Sequence, residues 1–164
     1  MSAWRSSLYL DDFDAALTDV ENWQERFLDT KDYRVTRPLL RGLTHRYSGN
    51  IEAALPLLLE SRQEFESLLA DDPDSYPILR SLCLVTGGLG ELVEAKQTCE
   101  HALLAAPADK FVAGHFKFDA AAGLALAGDA RGSLRLLKLM LEDEVGPGIY
   151  PVIYHPAFDS IREE

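Results

Sequence analysis

The sequence is short of cysteine, of aromatic residues, of positive charge and of long apolar runs, and each shortage removes a class of protein. Two cysteines, Cys83 and Cys99, in 164 residues are too few for a disulfide framework and lack the spacing of a metal site. They are expected to be reduced and to act as small apolar fillers. Sixteen Lys and Arg against 27 Asp and Glu leave a formal charge of −11. An acidic surface repels phosphate backbones and anionic lipid heads, so neither nucleic acid nor a membrane is expected as a partner. The longest strongly apolar run, Ala53 to Leu59, is interrupted by Pro56 and falls far below the roughly 20 residues of a membrane span. Met1 to Arg5 has no apolar stretch of a secretory signal, which makes the cytoplasm the expected location. Aromatic residues are 9% of the chain. Leu and Ala dominate over β-branched residues, a balance that favours packed helices over sheets.

What is present is helical periodicity broken by a recurring turn. Gly49-Asn50, Gly90-Glu91 and Gly128-Asp129 each separate two apolar-periodic stretches. Gly supplies a left-handed helix cap, and Asn or Asp at the next position can cap the helix that follows. Pro73, Pro77, Pro107, Pro147 and Pro151 mark a second class of junction, between one helix pair and the next. Five residues after each of these glycines stands a small residue: Ala54, Ala95 and Ser133. With Ala16 they recur at intervals of 38, 41 and 38 positions, a period that signals stacked supersecondary units. Small side chains let two antiparallel helices approach closely.

On these residues the chain resembles the tetratricopeptide repeat family. The best copy is Ser75 to Pro107, with Gly90 at the turn, Ala95 and Ala102 at small positions, Cys99 between them, and Cys83 where the first helix carries a small residue. A second copy spans about Val35 to Pro73 with Gly49, Ala54 and Ser61. A third spans about Lys110 to Val145 with Ala121, Gly128, Ser133 and Met140. Asp12-Phe13-Asp14-Ala15-Ala16 is similar to the start of a second helix, whose partner would have to fit into Met1 to Leu10. The spacings exceed the family's period of about 34 residues, and the early aromatic positions are mostly aliphatic. The tail Tyr154 to Arg162 resembles the closing segment of bacterial regulatory proteins that carry these repeats behind an effector domain. Phe158 and Ile161, three apart, can cover the last repeat.

The resemblance implies an all-α fold: one domain over 1–164, a right-handed α-α superhelix of antiparallel pairs with about seven or eight helices. The units would be a partial repeat at 1–34, repeats at 35–74, 75–109 and 110–145, and a cap at 146–164. It also implies a partner-binding groove on the inner face of the first helices: Leu39, Leu43, Arg46, Tyr47, Arg80, Leu84, His115, Phe118 and Ala122. An arginine there could grip a carboxylate in bidentate fashion, and Arg80→Glu should weaken a partner without harming the fold. The tail or a neighbouring chain is the alternative occupant.

The remaining constellations carry little chemistry. His115 and Asp119, four apart, begin a two-ligand metal site but lack a third ligand. Gly87-Gly88-Leu89-Gly90 is not preceded by a strand and lacks the following Gly-Lys-Ser/Thr, so it is expected as a flexible turn rather than a phosphate loop. Asp11-Asp12, Asp71-Asp72 and Glu142-Asp143-Glu144 are expected as solvated or capping charge. Pro56 should bend the long helix Ile51 to Ala70. No catalytic set, metal or cofactor is expected. The expected function is a non-enzymatic scaffold or adaptor for a protein or peptide partner, with a regulatory sensor controlling an effector as the alternative. A homo-oligomer is compatible with both.

Overall fold

A computed structural model describes residues 2–24, 27–30, 33–143 and 146–162, with side chains described outside Ser2 and 27–30. Met1, Glu144, Val145 and Glu164, which figure in the expected boundaries and charge runs, lie outside these. The fold is all-α. Helices α1 (Ser2–Tyr9) and α2 (Phe13–Glu21) form a first pair. A short hairpin follows, β1 (Phe27–Thr30) and β2 (Tyr33–Thr36). Then come α3 (Arg37–Tyr47), α4 (Ile51–Leu69), α5 (Tyr76–Leu89), α6 (Leu92–Ala105), α7 (Lys110–Leu126) and α8 (Ala130–Glu142), with α9 (Ile149–Tyr154) and a closing 3₁₀ turn, Pro156–Ile161. Among the described residues this makes nine α-helices.

The turns form as their residues dictate. Gly49, Gly90 and Gly128 adopt φ of +77°, +77° and +87°. Asn50 and Asp129 then accept from the Ala53 and Gly132 amides at 3.2 and 3.1 Å, capping α4 and α8. Asp12 caps α2 in the same way, from the Ala15 amide at 3.0 Å. The small residues Ala16, Ala54, Ala95 and Ser133 are fully buried, each where a second helix lies against its partner. Helix α4 runs unbroken through Pro56.

Three expectations are corrected. Val35 does not open a helix; it lies in β2, which pairs antiparallel with β1 from Phe27↔Thr36 to Thr30↔Tyr33. The run Tyr33-Arg34-Val35-Thr36 is β-branched and aromatic and alternates in burial at its start, and Thr36 caps α3 by accepting from the Leu39 amide at 3.2 Å. Gly87 and Gly88 are not in a turn. They lie inside α5, which ends only at Gly90. Their role is close approach: a Cβ on Gly87 would stand 2.2 Å from the Gly123 carbonyl oxygen of α7, and one on Gly88 3.0 Å from the Leu58 side chain. Finally, Cys83 and Cys99 are not free thiols but a disulfide between α5 and α6. Their sulfurs lie against Gly123, where a Cβ would meet them at 2.9 and 3.2 Å.

The two kinds of glycine should respond differently to substitution. Gly87→Ala, which drives a methyl into backbone, is expected to lower the unfolding free energy by about 3 kcal/mol. Gly49→Ala meets open space and is expected to lose about 1–2 kcal/mol from its left-handed backbone alone. Urea denaturation of both variants checks this; equal losses would remove the α5–α7 approach as the tighter constraint.

Candidate functional site

Helices α3, α5 and α7 lie side by side, and the residues they present at i and i+4 meet on one wall. Leu43 and Tyr47 from α3, Arg80 and Leu84 from α5, and His115, Phe118 and Ala122 from α7 line a common cavity. Two expected members are used elsewhere. Leu39 is buried in the core. Arg46 donates from Nε to the Gly88 carbonyl at 3.1 Å and from Nη2 to the Leu126 carbonyl at 3.3 Å. It thereby holds the carboxyl ends of α5 and α7, where the helix dipole favours a cation.

The wall is covered by the chain's own two ends. From α1 come Trp4, Arg5 and Tyr9, and from the closing segment Pro147 and His155. Trp4 Nε1 donates to Thr44 Oγ1 at 2.9 Å. The His155 ring meets Tyr47 and Phe118 edge-on at centroid distances of 5.3 and 5.5 Å and Tyr9 at 6.0 Å, while Phe158 packs edge-on against Phe118 at 5.3 Å. His155 Nδ1 accepts from the Ala157 amide at 3.2 Å, so the neutral ring carries its proton on Nε2. The space left under this cover is about 30 Å³, room for about one water.

At the floor, Arg80 forms a buried ion pair with Asp119, their side chains 6% and 10% exposed. The guanidinium lies over the rings of Tyr33, 4.4 Å to the centroid, and Phe116, 4.7 Å. Arg80 is thus already paired with a carboxylate of its own chain. The expectation that Arg80→Glu spares the fold is overturned, because the new carboxylate would face Asp119 out of water. Asp119 serves Arg80 rather than pairing with His115 around a metal. His115 instead donates from Nδ1 to the Phe111 carbonyl at 2.9 Å. Among the described residues no three candidate ligands gather into a metal site. Burial pushes the Tyr33 and Tyr47 hydroxyls above the ordinary tyrosine range, so both stay protonated.

Sequence reasoning finds the helical wall and names the tail as one possible occupant, but it misses α1, the other half of the cover. Trp4 and Leu8, four apart and both buried, are the readable sign that α1 is amphipathic and needs a surface. Tyr33 and Arg5 give no such sign. Compared with family models, curated proteins and solved structures, the chain matches none. Its chemistry rests on this geometry alone.

Two measurements probe the site. Arg80→Leu removes the ion-pair partner of buried Asp119, leaving the nearby charge of Arg5, and is expected to lose about 3–5 kcal/mol of stability, most of it recovered in Arg80→Leu/Asp119→Leu; losses that simply add would show that the two side chains are uncoupled. His155 is held near pKa 4, against an ordinary 6.5, because its burial penalises the imidazolium. Between those values the unfolded chain binds a proton that the folded chain refuses. Stability is therefore full above pH 6.5 and falls as the pH drops toward 4, by about 3 kcal/mol. His155→Asn, which retains a capping side chain, should flatten that part of the stability–pH curve measured by denaturant titration. An unchanged slope would assign it to other groups.

Proposed function

We propose that this chain is an adaptor that holds a protein or peptide partner, built in the manner of tetratricopeptide proteins and without a catalytic step of its own. The observation that carries this is the aromatic surface left in water beside the covered wall. Phe111 is 63% exposed, its ring tilted against that of His115 at a centroid distance of 4.5 Å. Tyr150 is 72% exposed and stacks on Tyr154, and no residue of α9 is buried. The segment entering α9 passes the first turns of α7, since a Cβ on Gly146 would stand 3.0 Å from the Gly114 backbone. Exposed aromatics mark binding surfaces more often than scattered aliphatic residues do, because a ring buries much area at small entropic cost.

The wall itself supports the reading. It already accepts a helix and a turn from its own chain, through aromatic contacts and a hydrogen bond of the kind an intermolecular partner would use. Among the described residues no helix is long and apolar enough to cross a membrane. A cytoplasmic setting, expected from the sequence, has to accommodate the Cys83–Cys99 bond. Both residues are about 1% exposed, which keeps small thiols from attacking it.

The test is affinity capture from the native lysate with quantitative mass spectrometry, comparing the natural chain with Phe111→Ser/Tyr150→Ser. Both positions are exposed, so circular dichroism should be unchanged. Partners are expected to fall at least tenfold in the variant. The same partners at the same yield would remove this surface from the proposal.

A further inference from the structure

A second surface, on the opposite side of the first helices, arises where successive second helices meet. Between α4 and α6 the gap is bridged by Arg62, which pairs with Glu66, with Glu91 at 2.8 Å and with Glu94. Glu91 is the N-cap residue of α6. Between α6 and α8 the corresponding link is the ion pair of Lys96 with Asp129 at 3.0 Å, and Asp129 is the N-cap of α8. Beside that pair a groove of about 420 Å³ stays open, with Leu103, Leu124, Leu136 and Cys99 contributing its apolar lining.

The lips of this groove are charged in an uneven way. Arg131 and Arg135 stand one turn apart along the α8 side. Both are exposed, and neither makes an ion pair or hydrogen bond among the described residues. Six other cations, Arg62, Arg80, Lys96, Lys117, Lys138 and Arg162, have carboxylate partners. Arg131 stands near Asp129 and helps to hold its carboxyl below the usual range, so the two arginines give the α8 lip positive charge in a chain of charge −11. Glu100 stands on the opposite, α6 lip. One turn beyond Arg135 on the same helical face, Leu139 is 44% exposed and lengthens the apolar strip.

We propose that this groove docks an acidic amphipathic helix of a partner protein. Leucine-like side chains would lie over Leu103, Leu124 and Leu136, and carboxylates one turn apart would meet Arg131 and Arg135, each guanidinium matching a carboxylate with two parallel hydrogen bonds. Glu100 repels a second acidic edge, so the bound helix carries acid on one side only, which fixes its orientation. Glu100 and Asp129, with the acidic remainder of the chain, disfavour a phosphate backbone in the same place. The site is separate from the Phe111 and Tyr150 surface, and either can fail without the other.

The probe is a synthetic stapled helix with leucines at i, i+4 and i+7 and two glutamates one turn apart on one edge. It is titrated into the full ¹⁵N-labelled chain. Shifts are expected in α6 and α8, with affinity at least tenfold weaker for Arg131→Glu/Arg135→Glu and regained when the peptide's glutamates are replaced by lysines. Three outcomes would overturn the proposal. One is no shift, or shifts confined to other helices. Another is equal affinity for the acidic and basic peptides. The third is self-association, seen by sedimentation, that the double variant abolishes, which would make a second copy of the chain the occupant. Because both arginines are solvent-exposed, the double variant should keep the natural helix content and melting temperature.

Discussion

The backbone contact between Gly87 on α5 and Gly123 on α7 sets the spacing on which the rest of the molecule depends. With no side chain on either residue the two helices approach backbone to backbone, which bulkier residues at this crossing would prevent. That approach brings Arg80 and Asp119 within ion-pair reach, and it leaves room behind Gly123 for the Cys83–Cys99 bond. A buried ion pair packed against aromatic rings is stable only when its geometry is fixed from outside, since desolvation opposes it. Here the fixing is done by glycine.

The wall formed by α3, α5 and α7 then has an occupant. In an isolated row of helices such a face would expose Tyr47, Leu84 and Phe118 to water. The chain solves this with Trp4 and Leu8 on one side and His155 and Phe158 on the other, all buried. The wall is thus filled by segments of its own chain, while exposed aromatic residues remain on α7 and α9 and a groove stays open beside α6 and α8.

How much of this was legible in the sequence depended on how local each cause is. Gly49, Gly90 and Gly128 announced their turns because a left-handed residue followed by a cap is a short-range signal. The small residues Ala54, Ala95 and Ser133 announced close packing through their fixed offset. The hairpin at Phe27–Thr36 was missed because Tyr33-Arg34-Val35-Thr36 is too short a run to outweigh the helical pattern around it. Its place is secured by tertiary contacts, among them the Ser81 hydroxyl donating to the Arg34 carbonyl. Gly87 and Gly88 were misread as a turn for a related reason: a glycine pair near Gly90 looks the same from sequence whether it bends the chain or admits a neighbour. The wall residues could be placed by helical spacing, but the partner of Arg80 could not, because Asp119 lies on another helix and its nearer sequence neighbour, His115, offers a competing match.

The contact between Tyr9 and His155 joins the first helix to the closing segment, and so encloses almost the whole chain in one loop. Closing so long a loop carries a large entropic penalty. Contacts of that separation are rewarded only after the intervening helices have packed. Loop-closure entropy therefore favours a roof that closes on a wall already packed, rather than one that guides its assembly.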